Sequence, residues 1–76
     1  MNNARRSLLR SAIELLESAA STVETALDAE QESLGNMPES LSETERYAKM
    51  EEAIDLLEEA LENIGSAQEN IEEAIG

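Results

Sequence analysis

A chain of 76 residues with no cysteine and no histidine forms one domain at most, and its inventory excludes disulfides, thiolate or imidazole metal sites and any triad built on those side chains. Eighteen acidic against five basic residues give a net charge of −13, which repels phosphate backbones and anionic headgroups and so disfavours direct binding to nucleic acid or to a membrane surface. No apolar run approaches the roughly 18 to 20 residues that span a bilayer or forms a secretory signal, which places the chain in the cytoplasm; the lone aromatic, Tyr47, leaves no stacking platform for bases, sugars or cofactor rings.

A first helix is predicted over about residues 3–34, with Asn2 or Asn3 as its cap. Taking Ile13 as position a of a seven-residue repeat abcdefg, Ile13, Ala20, Leu27 and Leu34 fall at a and Leu9, Leu16 and Val23 at d. Ala12, Ala19 and Ala26 recur at g. Next comes Gly35-Asn36-Met37-Pro38-Glu39-Ser40-Leu41-Ser42, where glycine suits the left-handed position after a helix end and proline forbids continuation. The turn is expected over about 35–41, with a short helical turn from Pro38 to Leu41. Ser42 followed by Glu45 reads as a capping box, so the second helix is expected over about 42–75.

In that second segment Tyr47, Ile54, Leu61 and Ile75 take a, and Met50, Leu57, Ile64 and Ile71 take d. Ala53, Ala60, Ala67 and Ala74 again take g. Ser11-Ala12-Ile13-Glu14-Leu15-Leu16-Glu17-Ser18-Ala19 aligns with Glu52-Ala53-Ile54-Asp55-Leu56-Leu57-Glu58-Glu59-Ala60 without a gap, by internal duplication or because two helices built for one seam converge on the same words. Gln68 at a and Gly65 at e weaken the last third of the segment, either because a buried amide selects register, the favoured reading, or because the helix frays there. Tyr47 and Met50 close the seam near the turn.

So short a connection requires antiparallel neighbours, giving two rods of roughly 45 to 50 Å side by side. The alanines are then the contact seam, because g faces g along one edge of an antiparallel pair. Arg5, Arg6 and Arg10 are expected opposite Glu69, Glu72 and Glu73. Leu8, Leu15 and Leu56 lie at c, beyond the alanine edge, and widen the apolar arc past what one partner helix covers. They are the expected dimer contact: the fold class is an all-α, two-helix antiparallel coiled-coil hairpin that dimerises into a four-helix bundle, one domain over residues 1–76.

Carboxylates at helical spacing, Glu52 with Asp55, Glu59 with Glu62 and Glu69 with Glu72 and Glu73, invite a metal or general-acid reading. Their wheel positions, b and f for most of them, turn them to water, which favours a solvated acidic face and no metal site. Serine and threonine hydroxyls have no base positioned to activate them, and the three glycines form no phosphate loop. The chain is therefore expected to have no catalytic residues, no cofactor and no small-molecule substrate.

Two partner-binding readings remain. In one, the turn is a recognition tip formed by Asn36, Met37, Pro38, Glu39 and Leu41, with Met37 and Leu41 exposed among Asp28, Glu30, Glu39 and Glu43. In the other, the acidic face with Glu58, Glu59 and Glu62 imitates a polyanion and occupies the groove of a basic, nucleic-acid-binding host protein, as an anti-defence factor does. The stretch Asp28 to Leu41, with the tip Asn36-Met37-Pro38-Glu39 and the following run Met50-Glu51-Glu52-Ala53-Ile54-Asp55, resembles an uncharacterised family of small acidic helical-hairpin proteins from gut Firmicutes and their phages. Ser42 stands where the family often has glutamine. The resemblance implies a phage or mobile-element setting and no particular activity, so the expected function is a non-catalytic protein-protein interaction module with homodimerisation and an unidentified protein partner, a basic one in the second reading.

Overall fold

The computed structural model describes all 76 residues, and its regular structure is entirely helical. Helix α1 spans Asn3–Gly35, a 3-10 turn spans Glu39–Leu41 and helix α2 spans Glu45–Ile75. The two long helices lie against one another in a rod of 59 × 15 × 13 Å. Their direction is fixed at the open end, where Arg6 Nε donates to the carbonyl of Ile75 at 3.2 Å. It is fixed again nearer the turn, where Gln31 Nε2 donates to Glu58 Oε1 at 3.4 Å. The helices are antiparallel. Gln31 and Glu58 both occupy position e, so this bond marks the e edge of the pair and leaves the g positions of both helices on the opposite edge.

Of the two expected caps, Asn2 is the one that closes α1, its side chain accepting from the Arg5 amide at 2.8 Å, and Asn3 is the first helical residue. The far end differs. Gly35 is the last helical residue and has no positive φ, and Asn36 closes the helix at φ −90°, ψ −4° with its amide bonded to the Glu32 carbonyl. Pro38 supplies the stop, because it pushes Met37 out of the helical region and so removes any need for a left-handed glycine.

The start of α2 also departs from expectation. Ser42 continues the 3-10 turn at φ −63°, ψ −19°, with its amide bonded to the Glu39 carbonyl, so it lacks the extended backbone that a capping residue needs. Thr44, at φ −78°, ψ 157°, takes that role. Its Oγ1 accepts from the Tyr47 amide at 3.3 Å and donates to the Leu41 carbonyl at 2.7 Å, tying the turn to the helix it introduces. The helix consequently begins at Glu45 rather than near Ser42.

Only Leu27 and Ile54, both at position a, are buried, each about 8% exposed. Leu9, Ile13, Leu16, Val23, Leu34, Met50, Leu57, Leu61, Ile64 and Ile71 are half-buried along the same stripe. The alanine edge is only partly covered: Ala12, Ala53, Ala60 and Ala67 are half-buried, while Ala19, Ala26 and Ala74 are exposed. The larger a and d side chains make the contact, and the alanines border it. Gly65 and Gln68 sit half-buried inside an uninterrupted α2.

The expected ion pairs between the first-helix arginines and Glu69, Glu72 and Glu73 do not form. Arg6 turns to the unsatisfied carbonyl at the C-terminal end of α2, where a cation is favoured by the helix dipole as well as by the hydrogen bond. The one ion pair in the molecule is Lys49 to Glu45 at 3.2 Å, four residues apart on an exposed surface.

Truncating the seam at its best-shielded points, Leu27→Ala or Ile54→Ala, will destabilise the fold by about 2–4 kcal/mol, measured by urea unfolding followed through helical circular dichroism. In the same assay Thr44→Ala will cost about 1 kcal/mol and Ser42→Ala less than about 0.5 kcal/mol; equal costs would remove the assignment of Thr44 as the cap. A methyl group added at Gly65 meets nothing within 4 Å, so Gly65→Ala will raise stability by about 0.4–1 kcal/mol.

Candidate interaction surfaces

Three surface regions carry side chains that a helical rod does not need for its own packing. The first is the turn. Four backbone bonds hold it: Met37 to Leu34 at 3.2 Å, Leu41 to Pro38 at 2.9 Å, Ser42 to Glu39 at 3.1 Å and Thr44 to Leu41 at 3.1 Å. This lattice presents Asn36, Pro38, Glu39 and Leu41 to solvent, with Leu41 42% exposed. Met37 is half-buried, not exposed, and Glu30 is half-buried as well. The Met37 amide donates to the Leu34 carbonyl, which keeps its backbone against the end of α1. Asp28, Glu39 and Glu43 remain exposed around it.

The second region is the acidic surface of α2. Glu58, Glu59 and Glu62 are all exposed, and so are Glu52, Asp55 and Glu69 at the b and f positions. Glu58 differs from the other two members of its group, since it lies at the e edge and accepts the bond from Gln31. No three acidic side chains converge into a cation-binding cluster, and the molecule encloses no cavity.

The third region is the edge opposite that bond. Leu8, Leu15 and Leu56 are 71%, 72% and 57% exposed. They sit on a surface whose composition is unlike the rest of the molecule. Position c reads Leu8, Leu15, Thr22 and Ala29 on α1, then Lys49, Leu56, Asn63 and Asn70 on α2, and every one of these side chains is exposed. Position g adds the alanines together with Arg5, Ser33 and Arg46. None of the eighteen acidic residues occupies c or g on either helix. On α1 the acid-free surface extends to Ala4, Ser11, Ser18 and Thr25 at f.

The three leucines were readable from the periodicity, but the acid-free face around them was not singled out from it. The signal lies in where the acids are missing: assigning every Asp and Glu to a heptad position finds it. Arg5, Arg46 and Lys49, the only charged residues on this face, belong to the same signal.

No helix is long and apolar enough to cross a membrane. No protein-family model matches this chain, and comparison with curated proteins and with solved structures likewise gives no match.

Proposed function

We propose that this chain is a non-catalytic protein-protein interaction module of a bacterial or phage cytoplasm, and that it works as a homodimer in which two antiparallel coiled-coil hairpins form a four-helix bundle. One observation carries the reading: a molecule that shields only two side chains from water leaves Leu8, Leu15, Leu41 and Leu56 standing in solvent. Large aliphatic groups held outward on a rigid frame are suited to meeting another molecule. Three of them lie on the rod's acid-free face and serve self-association. The fourth, Leu41, lies at the tip beside Glu39 and serves a different protein, for which a basic surface is the complement. The resemblance of the tip sequence to small acidic hairpins of gut Firmicutes and their phages supports the same setting.

A second reading, mimicry of nucleic acid, is favoured by charge density. Two copies, each of charge −13, spread along a 59 Å rod carry about one negative charge per 2.3 Å, against one per about 1.7 Å of duplex DNA. The exposed Glu58, Glu59 and Glu62 would then lie in the basic groove of a DNA- or RNA-binding host protein. Steering of this kind makes association fast and sensitive to salt.

Capture from bacterial lysate with three immobilised chains separates the readings: wild type, Glu39→Ala with Leu41→Ala, and Glu58→Gln with Glu59→Gln and Glu62→Gln, each at low and at high salt. For tip recognition, the tip variant will lose its partner by about tenfold or more while the acidic-face variant retains it. For mimicry the pattern inverts and high salt abolishes retention. A wild-type chain that retains no partner at either salt overturns both.

A further inference from the structure

We infer that the second copy of this chain docks on the acid-free c and g face in an antiparallel sense, so that the turn of each hairpin lies beside the open end of the other. The inference rests on the self-association proposed above, takes over its surface and adds its direction.

The surface follows from area and from charge. A folded monomer of 8.3 kDa has an expected accessible surface of about 4,600 Å², whereas this rod exposes 5630 Å². The excess of about 1,000 Å² is close to the roughly 800 Å² that each partner buries in a stable dimer. Two chains of charge −13 repel wherever acids meet, and the c and g face is the one broad surface that brings none together. Two hydroxyls are also cheap to dehydrate, that of Thr22 at c and that of Ser11 at the adjoining f position. Ser11 Oγ and Thr22 Oγ1 donate to the carbonyls of Ser7 and Ser18, at 3.2 and 3.1 Å, so their protons stay bonded when water leaves.

The direction follows from the charge along the rod. The turn half, residues 20–65, holds thirteen of the eighteen acids and two of the five bases, a net −11. The open half, residues 1–19 and 66–76, holds five acids and three bases, a net −2. Parallel docking would place the two −11 halves side by side, within about one screening length of 8–10 Å. Antiparallel docking sets each −11 half against a −2 half and separates the strongly charged ends by several screening lengths. The leucines agree. The two cross-helix bonds place Leu56 level with the stretch of α1 between Thr25 and Ser33. A two-fold axis that brings Leu8 level with the partner's Leu56 therefore crosses α1 between Leu16 and Ser21, around the helix midpoint at Ala19. The hairpins then overlap along their whole length. Each layer of the new core receives at least one leucine, whereas the parallel arrangement leaves the Thr22 and Asn63 layer with none.

The test uses the full chain, which has no cysteine of its own, carrying a spin label on Ser40→Cys at the turn. Sedimentation equilibrium will show a dimer that tightens as salt is added, since salt screens like charges; a basic partner responds in the opposite direction. Dipolar spectroscopy will show labels about 50 Å apart, near the length of the rod. Leu15→Glu with Leu56→Glu will weaken the dimer by about 100-fold or more. Asp55→Asn with Glu69→Gln, at exposed b positions on the other side of α2, will leave it intact. If the leucine variant loses its helical signal, Ala19→Glu, exposed on the same face, is read in its place. A wild-type monomer overturns self-association and leaves tip recognition standing. Labels closer than about 25 Å overturn the antiparallel sense alone, and a dimer indifferent to Leu15→Glu with Leu56→Glu or to Ala19→Glu overturns the face.

Discussion

Two helices laid side by side shield only the strip along their line of contact, and that limit governs the rest of this molecule. The strip is wide enough to bury Leu27 and Ile54, and it leaves the remaining a and d residues half-buried. A small domain with so thin a core has little margin for ordering its backbone. Capping and turn chemistry therefore carry an unusual share of the fold. Asn2 and Thr44 satisfy helix-start amides, Arg6 satisfies a helix-end carbonyl, and the 3-10 turn bonds its own backbone through Pro38, Glu39 and Leu41.

The same limit explains the surface. An 18-acid chain folded as a rod has to place its carboxylates somewhere, and each acid position is a position where no second protein can pack closely without desolvating a charge. Here the acids keep to positions b, d, e and f and to the turn, and c and g are spared on both helices. Solvation alone gives no reason to spare them, because c is as exposed as b or f in an isolated pair. An unmet need for apolar burial does give a reason. The proposed four-helix bundle joins the two facts, adding a core where the hairpin has none and keeping every carboxylate but that of the half-buried Glu30 turned outward. Antiparallel docking would also set the two tips at opposite ends of one rod, so that a dimer presents two well-separated copies of the same recognition surface.

Much of the fold was legible because its seam repeats. A seven-residue spacing of aliphatic side chains over some thirty residues has one economical solution, and both helices followed from it; their antiparallel sense followed from the shortness of the connection, and a cap at Asn2 or Asn3 from residue type. Three of the misses are local, in the turn and at its two helix ends, and one lies between the helices. Ser42 and Thr44 are both competent capping residues, and which of them caps depends on the backbone angles that the preceding 3-10 turn imposes. Gly35 looked like a left-handed terminator, yet Pro38 had already settled where the helix ends. Met37, expected at the surface because it sits in a turn, is half-buried, since the course of the turn decides exposure and its amide is bonded back to the end of α1. The arginines near the start of α1 were matched to glutamates by proximity, although a free carbonyl at the end of a neighbouring helix competes for the same guanidinium.

By itself the sequence determined the period, the polarity of each helix and the positions barred to acids, since these depend only on which residue types recur at 3.5-residue intervals. It also determined the charge contrast between the two halves of the rod, once the turn was placed. The tertiary structure adds the bond between Gln31 and Glu58, which marks the e edge and leaves g and c on the other side as an antiparallel seam requires. Only the tertiary structure showed that the alanines border the contact rather than form it. The physical reason is size: leucine and isoleucine side chains reach across the gap and set the distance between the rods, and a methyl group placed beside them has to accept the separation they dictate.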